Sequence, residues 1–268
     1  MRPDEFLQPV GIGELLDRTI KLYKIQFFKF VAIAAIGHIP FILMGVLVTV
    51  FTMNFNALFS NPFNPDSLPN ISPAVWGIWF LLLILGSLGY GLTRLTLIKA
   101  CQESIFESQI TIGNCFRTGL SKLFPYIVAA ILSFLAITFG FILLIIPGII
   151  FLVWFSLFEP VTVLEDSGYA KALGRSKFLV KGYFWRTLGF FIVTALLSFA
   201  LTGILSEILG LIPVIGQLFS LLLQLIVLPF QVIAETLYYY NQRAVKEGFD
   251  LTLTAEDIET SEGAVVNS

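Results

Sequence analysis

Apolar positions in this chain fall in long uninterrupted runs, and those runs set its architecture. Six are delimited, at 27–53, 74–98, 124–146, 148–164, 187–211 and 214–240, each near the ~20 residues that carry an α-helix across the hydrocarbon core of a bilayer. Only helices and closed barrels satisfy their backbone polar groups in lipid, and these runs lack the alternation of barrel strands. The pattern predicts an all-α integral membrane protein with about six transmembrane helices, residues 1–248 forming one polytopic domain and 249–268 a tail. Residues 54–73, rich in Asn and Pro, read as a true loop. Ile146-Pro147-Gly148 reads as a tight turn that makes the third and fourth helices an antiparallel hairpin.

The polar segments between runs are patterned too. From Ile12 to Lys24, one helical face carries Ile12, Leu15, Leu16, Thr19, Ile20 and Tyr23, and the other carries Glu14, Asp17, Arg18, Lys21 and Lys24. Such a helix lies in the headgroup plane. Similar segments precede the third run, with Cys115, Phe116, Gly119 and Leu120 opposite Arg117 and Lys122, and the fifth, with Ala172, Leu173, Ser176 and Leu179 opposite Lys171 and Arg175. Three amphipathic interfacial helices are therefore expected, each leading into a hairpin. Arg18-Thr19, Arg117-Thr118 and Arg175-Ser176 are each followed, nine residues after the arginine, by Phe27, Tyr126 or Phe184. The dipeptide recurs at Arg186-Thr187 outside this register. Turn sequences at Ile146-Pro147-Gly148 and Ile212-Pro213-Val214 complete a candidate threefold pseudo-repeat.

Charge orients the drawing. All 16 basic residues fall on one side of the six spans, while the opposite side carries only Asp66 and Glu207, the bias expected when both termini are cytoplasmic. Composition agrees: 57% of residues are hydrophobic and 13% charged, against about a quarter charged in soluble domains. After Lys246 the chain holds six acids (Glu247, Asp250, Glu256, Asp257, Glu259, Glu262) and no base, which reads as a solvated acidic tail and excludes a nucleic-acid surface. Cys101 and Cys115 fall on the reducing side, so neither a disulfide nor a zinc site is expected. A charged amphipathic segment precedes the first run, and no cleavable signal peptide is expected.

The stretches Gly11-Ile12-Gly13-Glu14-Leu15-Leu16-Asp17-Arg18-Thr19, Ile146-Pro147-Gly148 leading to Glu159-Pro160, Ala172-Leu173-Gly174-Arg175-Ser176, and Leu237-Tyr238-Tyr239-Tyr240 to Arg243 and Glu247-Gly248-Phe249-Asp250-Leu251 resemble a family of prokaryotic membrane proteins. That family is related to the membrane domain fused to some glycerophosphoryl diester phosphodiesterases. The resemblance runs in order over most of the chain and implies a multi-pass protein of the prokaryotic cytoplasmic membrane, with no established activity. In the fused members a separate soluble barrel with acidic and histidine residues carries the hydrolysis. This chain has no room for it, so that activity does not carry over.

Enzyme signatures are sparse. His38, the one histidine, makes no metal site alone, and a dyad with Ser87 is outweighed by a packing serine and a backbone-bonded His. No catalytic residue, cofactor or metal is expected. Two helix faces say more. Thr194, Ser198, Thr202, Ser206 and Gly210 recur every four residues on the fifth span, a stripe of small residues that lets another helix approach closely. On the sixth, Gln217, Gln224 and Gln231 recur every seven, with Glu235 nearly in phase. Such residues are costly in lipid and should face the bundle interior, with Glu159 of the fourth span as a candidate partner. They are either hydrogen-bonding glue or a solute or proton path with Glu235 or Glu159 as the relay. Arg94 is expected to snorkel. Arg18, Arg117 and Arg175, with Thr19, Thr118 and Ser176, are lipid-headgroup candidates, either as loose anchors or as phosphate sites. The first reading of function is a non-catalytic module that grips anionic membrane lipid and serves lipid homeostasis or a membrane protein partner. The alternative is a small-solute or ion transporter or channel using the seam of the last span.

Overall fold

The computed structural model describes residues 8–39, 73–107, 109–165, 167, 169–204 and 215–248. Within them the regular elements are helices, with no strand: α1 (Ile12–Ile25), α2 (Phe27–Ile39), α3 (Pro73–Phe106), α4 (Ile112–Leu143), α5 (Ile145–Trp154), α6 (Phe158–Leu164), α7 (Ala170–Val180), α8 (Phe184–Phe199, continued by a π-type turn at Ala200–Ile204) and α9 (Ile215–Glu247). Five stretches are long and apolar enough to cross a membrane, and α1 with α2 makes a sixth if that bent pair is one span. The chain is a multi-pass, all-α membrane protein, as the apolar runs predict. Residues 40–53 of the first run, the loop to residue 72, the turn Ile212-Pro213-Val214 and the tail 249–268 lie outside the described residues.

α1 buries Leu15, Thr19, Leu22 and Tyr23 and exposes Glu14, Asp17, Lys21 and Lys24. Gln26 stops it: its amide donates to Ser104 Oγ (3.2 Å), its oxygen accepts the Ile110 N–H (3.3 Å), and the chain bends 84° into α2. α7 repeats this unit. Its buried Ala172, Ser176, Leu179 and Val180 each lie 157 residues after their α1 counterparts, as Phe184 lies after Phe27. The stop between α7 and α8 is Gly182, held at φ 91°, where a Cβ would be strained.

The second segment of the expected repeat behaves differently. It is no separate interfacial helix but the first turns of α4, which runs unbroken through Pro125. Its buried Cys115 and Gly119 lie 100 residues after Leu15 and Thr19, whereas Arg117 lies 99 after Arg18, so arginine register and buried face disagree by one residue. The reason is local. No residue here takes the place of Gln26 or Gly182, and Pro125 removes one helical hydrogen bond without turning the chain. α3 and α4, with 34 and 32 residues, are each roughly 50 Å long at 1.5 Å per residue, so both outrun the apolar runs that announced them.

α4 and α5 form the expected hairpin, but it turns on Leu144, which is extended at φ −165°, ψ 155°. Pro147 stands third in α5, where its missing N–H would have no intrahelical acceptor. Gly148 allows the backbones to touch, since a Cβ on Gly140 would sit 2.9 Å from Gly148 Cα. The fourth run is broken between α5 and α6, because the Pro160 ring cannot follow an intact turn at Ser156. Ser176 of α7 repairs the break: it donates to Trp154 O (2.7 Å) and accepts the Leu157 N–H (3.0 Å).

α9 is the axis of the bundle. Two-thirds (67%) of its apolar window is buried, against 17% for α4. It packs against α1, α3, α6, α7 and α8, with Tyr238, Tyr239 and Tyr240 fully buried and Tyr238 stacked on Phe190 of α8 at 4.2 Å.

Candidate functional site

Three charged side chains converge where α3, α6 and α9 meet. Arg94 of α3 donates through Nε to Glu159 Oε2 and through Nη2 to Glu235 Oε2 (2.5 Å). Their side chains are only 13%, 12% and 10% exposed. Each element supplies its member for a local reason. Glu159 stands in the first turn of α6, beside the break that Pro160 imposes, where the N-terminal end of a helix favours a carboxylate. Glu235 lies four residues beyond Gln231 on the polar face of α9. Arg94 follows Tyr90 by one turn, and that ring lies 5.9 Å from its guanidinium carbon. The expectation that Arg94 snorkels is corrected: two buried carboxylates offer it better partners than a distant headgroup layer. Its other surroundings are Tyr126 of α4, stacked on Phe158 at 5.7 Å, and the hydroxyl stripe of α8.

The predicted stripes of α8 and α9 meet. Gln231 Nε2 donates to Ser198 Oγ at 2.5 Å. The α8 hydroxyls direct their own protons back along the helix: Thr194 to Phe190 O (3.0 Å), Ser198 to Thr194 O (2.8 Å) and Thr202 to Ser198 O (2.7 Å). Two cavities follow the seam. One, of about 390 Å³, is lined by His38, Tyr90, Ser198, Thr202, Gln224 and Gln231. The other, of about 260 Å³, is lined by Arg94, Glu235, Gln231, Thr194, Phe190 and Phe191. Gln231 borders both. The Oε1 atoms of Glu159 and Glu235 accept no hydrogen bond among the described residues. Gln217 lies in the first turns of α9, while Ser206 and Gly210 fall outside the described residues.

The headgroup candidates are placed unevenly. Thr19 is buried and donates to Leu15 O (2.8 Å), and Ser176 is spent on the α5–α6 break, so neither hydroxyl faces outward. Arg18 binds Glu14 (2.8 Å) and Gln8 O (3.0 Å). Arg175 binds Glu165 (2.6 Å) and Glu247; the hydrogen bond to Glu247, ahead of that to Glu165, pushes its pKa up. Glu165 also accepts from Tyr239 (2.6 Å). Arg117 is exposed and Thr118 half-buried. Ser87 is exposed and donates to Ile84 O (2.8 Å), and His38 Nδ1 lies 3.0 Å from Ala34 O.

Sequence reasoning missed two buried functions. Glu103, fully buried, accepts the Thr111 N–H (2.8 Å), Asn114 (2.5 Å) and the Cys115 thiol (3.3 Å), holding the start of α4. The ion-paired role of Arg94 is the other, although a base flanked by Thr93 and Leu95 within an apolar run already asks for a counter-charge.

Fold and site together define an all-α, multi-pass membrane protein with a charged, cavity-lining seam between its helices. No protein-family model, curated protein or solved structure matches the chain.

Proposed function

We propose that this protein binds a small polar solute or ion at the α8–α9 seam and passes it across the prokaryotic cytoplasmic membrane, as a transporter or channel. The observation that carries the reading is the pair of cavities sharing Gln231, one of them floored by Arg94 and Glu235. Hydrogen-bonding glue alone calls for a filled seam, whereas polar side chains bordering open space at membrane depth are the form a solute path takes. The competing reading, a module gripping anionic lipid, loses support because Thr19 and Ser176 are turned inward and Arg175 is held in ion pairs. The lysines of α1 remain suited to a loose attraction for anionic headgroups, with both termini cytoplasmic.

Thiol labelling tests the path. Ser198→Cys and Gln224→Cys should react with a small membrane-impermeant thiol reagent in intact cells or inverted vesicles. Phe139→Cys, on an exposed apolar position of α4, should stay unreacted, as should the buried native Cys101 and Cys115. Cavity cysteines as inert as Phe139→Cys would mean a dry seam and would overturn the proposal.

A further inference from the structure

Resting on that reading, we infer that the cavity beside Arg94 takes a small zwitterion of the amino-acid type, its carboxylate on the Arg94 guanidinium and its ammonium group on Glu235. The first observation is what the ion pairs leave unused. Arg94 donates through Nε to Glu159 and through one N–H of Nη2 to Glu235 Oε2. A guanidinium has five N–H donors, so both N–H groups of Nη1 and the second of Nη2 remain, without a partner among the described residues. Glu235 is only 7% exposed, and its Oε1 is likewise unpaired among the described residues. Side-chain atoms there that are both unpaired and sealed from open space are Asn241 Nδ2 and Gln242 Oε1. The unused atoms of Arg94 and Glu235 are not among these, so they reach open space, and the space that both residues border is this cavity.

The second is charge. Glu159 does not border the cavity, so the wall carries one full charge of each sign, Arg94 and Glu235. A net cation or a net anion would lie at membrane depth beside one charge of its own sign and leave the wall unbalanced. A zwitterion meets both, through charge-assisted hydrogen bonds roughly twice as strong as those between neutral groups. The two wall charges are also close together, with Arg94 Nη2 2.5 Å from Glu235 Oε2. Their unused ends are separated by no more than that bond and the widths of the two groups. Such a separation suits an ammonium and a carboxylate on the same or neighbouring carbons, and not at the ends of a long chain.

The third is the remainder of the lining, which also offers both donors and acceptors. Gln231 donates one N–H to Ser198 and keeps a second N–H and its oxygen, so it can serve either end of such a solute. Thr194 donates to Phe190 O, which leaves its lone pairs as acceptors for an ammonium group. Phe190 is stacked on Tyr238 at 4.2 Å and belongs to the packed core, while Phe191 and Ala195 add apolar surface to the same cavity. That side suits a short apolar side chain and not a third charge. At about 260 Å³, several times the roughly 30 Å³ of one water in the liquid, the space holds a solute of a few heavy atoms such as alanine.

The experiment measures equilibrium binding of radiolabelled L-alanine to the full chain in detergent at neutral pH, with acetate, methylammonium and glycerol as competing probes. Saturable binding is expected, and each probe should need at least tenfold the concentration of unlabelled alanine to displace it. Acetate, methylammonium or glycerol competing as well as alanine overturns the assignment in favour of an anion, a cation or a neutral solute. Binding should weaken at least tenfold in Glu235→Gln, which removes the charge that meets the ammonium group. It should weaken as much in Ala195→Phe, which fills the cavity from an exposed position of α8, and stay unchanged in Arg117→Gln. Size-exclusion profiles confirm that each variant is folded. If Glu235→Gln does not fold, Ala195→Phe decides alone, and wild-type binding in whichever of the two folds overturns the assignment. Absence of alanine binding in a protein whose cavity cysteines react removes this inference and leaves the solute path standing. Saturable binding with unreactive cysteines keeps the zwitterion and removes the path, and with neither result both readings fall.

Discussion

Arg94 holds two helices to α3 through one planar group, and its energetics can be separated by mutation. Arg94→Gln leaves two carboxylates buried without a counter-charge, and removing one member of a buried ion pair typically costs about 3–5 kcal/mol. Arg94→Lys keeps the charge but loses the fork that reaches Glu159 and Glu235 together, so its cost should be intermediate. The informative variant is Arg94→Gln with Glu159→Gln. If the cost of the single change is uncompensated charge, the double variant should melt higher than Arg94→Gln alone, a coupling that additive losses cannot give. Melting of the detergent-solubilised protein, followed by size exclusion, reads this directly; a double variant less stable than either single one would show that the triad does not act as a unit. The seam was legible from the sequence because helical phase places Gln224, Gln231 and Glu235 on one face without reference to anything else. Arg94 was not, since its partners lie 65 and 141 residues away and no local pattern fixes which helix passes beside which.

The break between α5 and α6 shows how a helix end in a membrane protein is completed from another element. Pro160 imposes the break, and the two orphaned backbone groups are met by a serine 19 and 22 residues further on, which the sequence presents only as part of an amphipathic face. Ser176→Ala should leave Leu157 N–H and Trp154 O unpaired and lower stability by about 1–3 kcal/mol. Thr19→Val, at the matching position of α1, removes a hydroxyl bonded only to its own helix and should cost much less. Equal melting losses for the two would contradict the assigned role of Ser176. The same contrast explains why two of the three expected interfacial segments are separate helices and one is not. Periodicity gives the phase of a helix, whereas its end depends on a residue that stops it. Gln26 does so through bonds to distant Ser104 and Ile110, Gly182 through a positive φ, and Pro125 supplies neither.

The position of α9 at the centre of the bundle ties the count of spans to the placement of the chain ends. Its last turns hold the segment before α1, through Asn241 Oδ1 accepting the Val10 N–H at 2.8 Å, and Arg186 at the start of α8 donates to Val10 O. The two ends of the described chain therefore meet in one place, as an even number of crossings between them would give. Five stretches are long enough to span, and the bent pair α1–α2 makes six if it is one span. α1 alone, with four exposed charges at Glu14, Asp17, Lys21 and Lys24, is too polar to enter the hydrocarbon core. Drawn on six spans, the distribution of all 16 basic residues leads to the same expectation. A fluorescent protein that folds only in the cytoplasm should accordingly fluoresce when fused at either terminus, and a phosphatase that is active only outside it should be inactive at both. Opposite signals at the two ends would mean an odd number of crossings, and would require the contact between Val10 and Asn241 to be absent in the membrane.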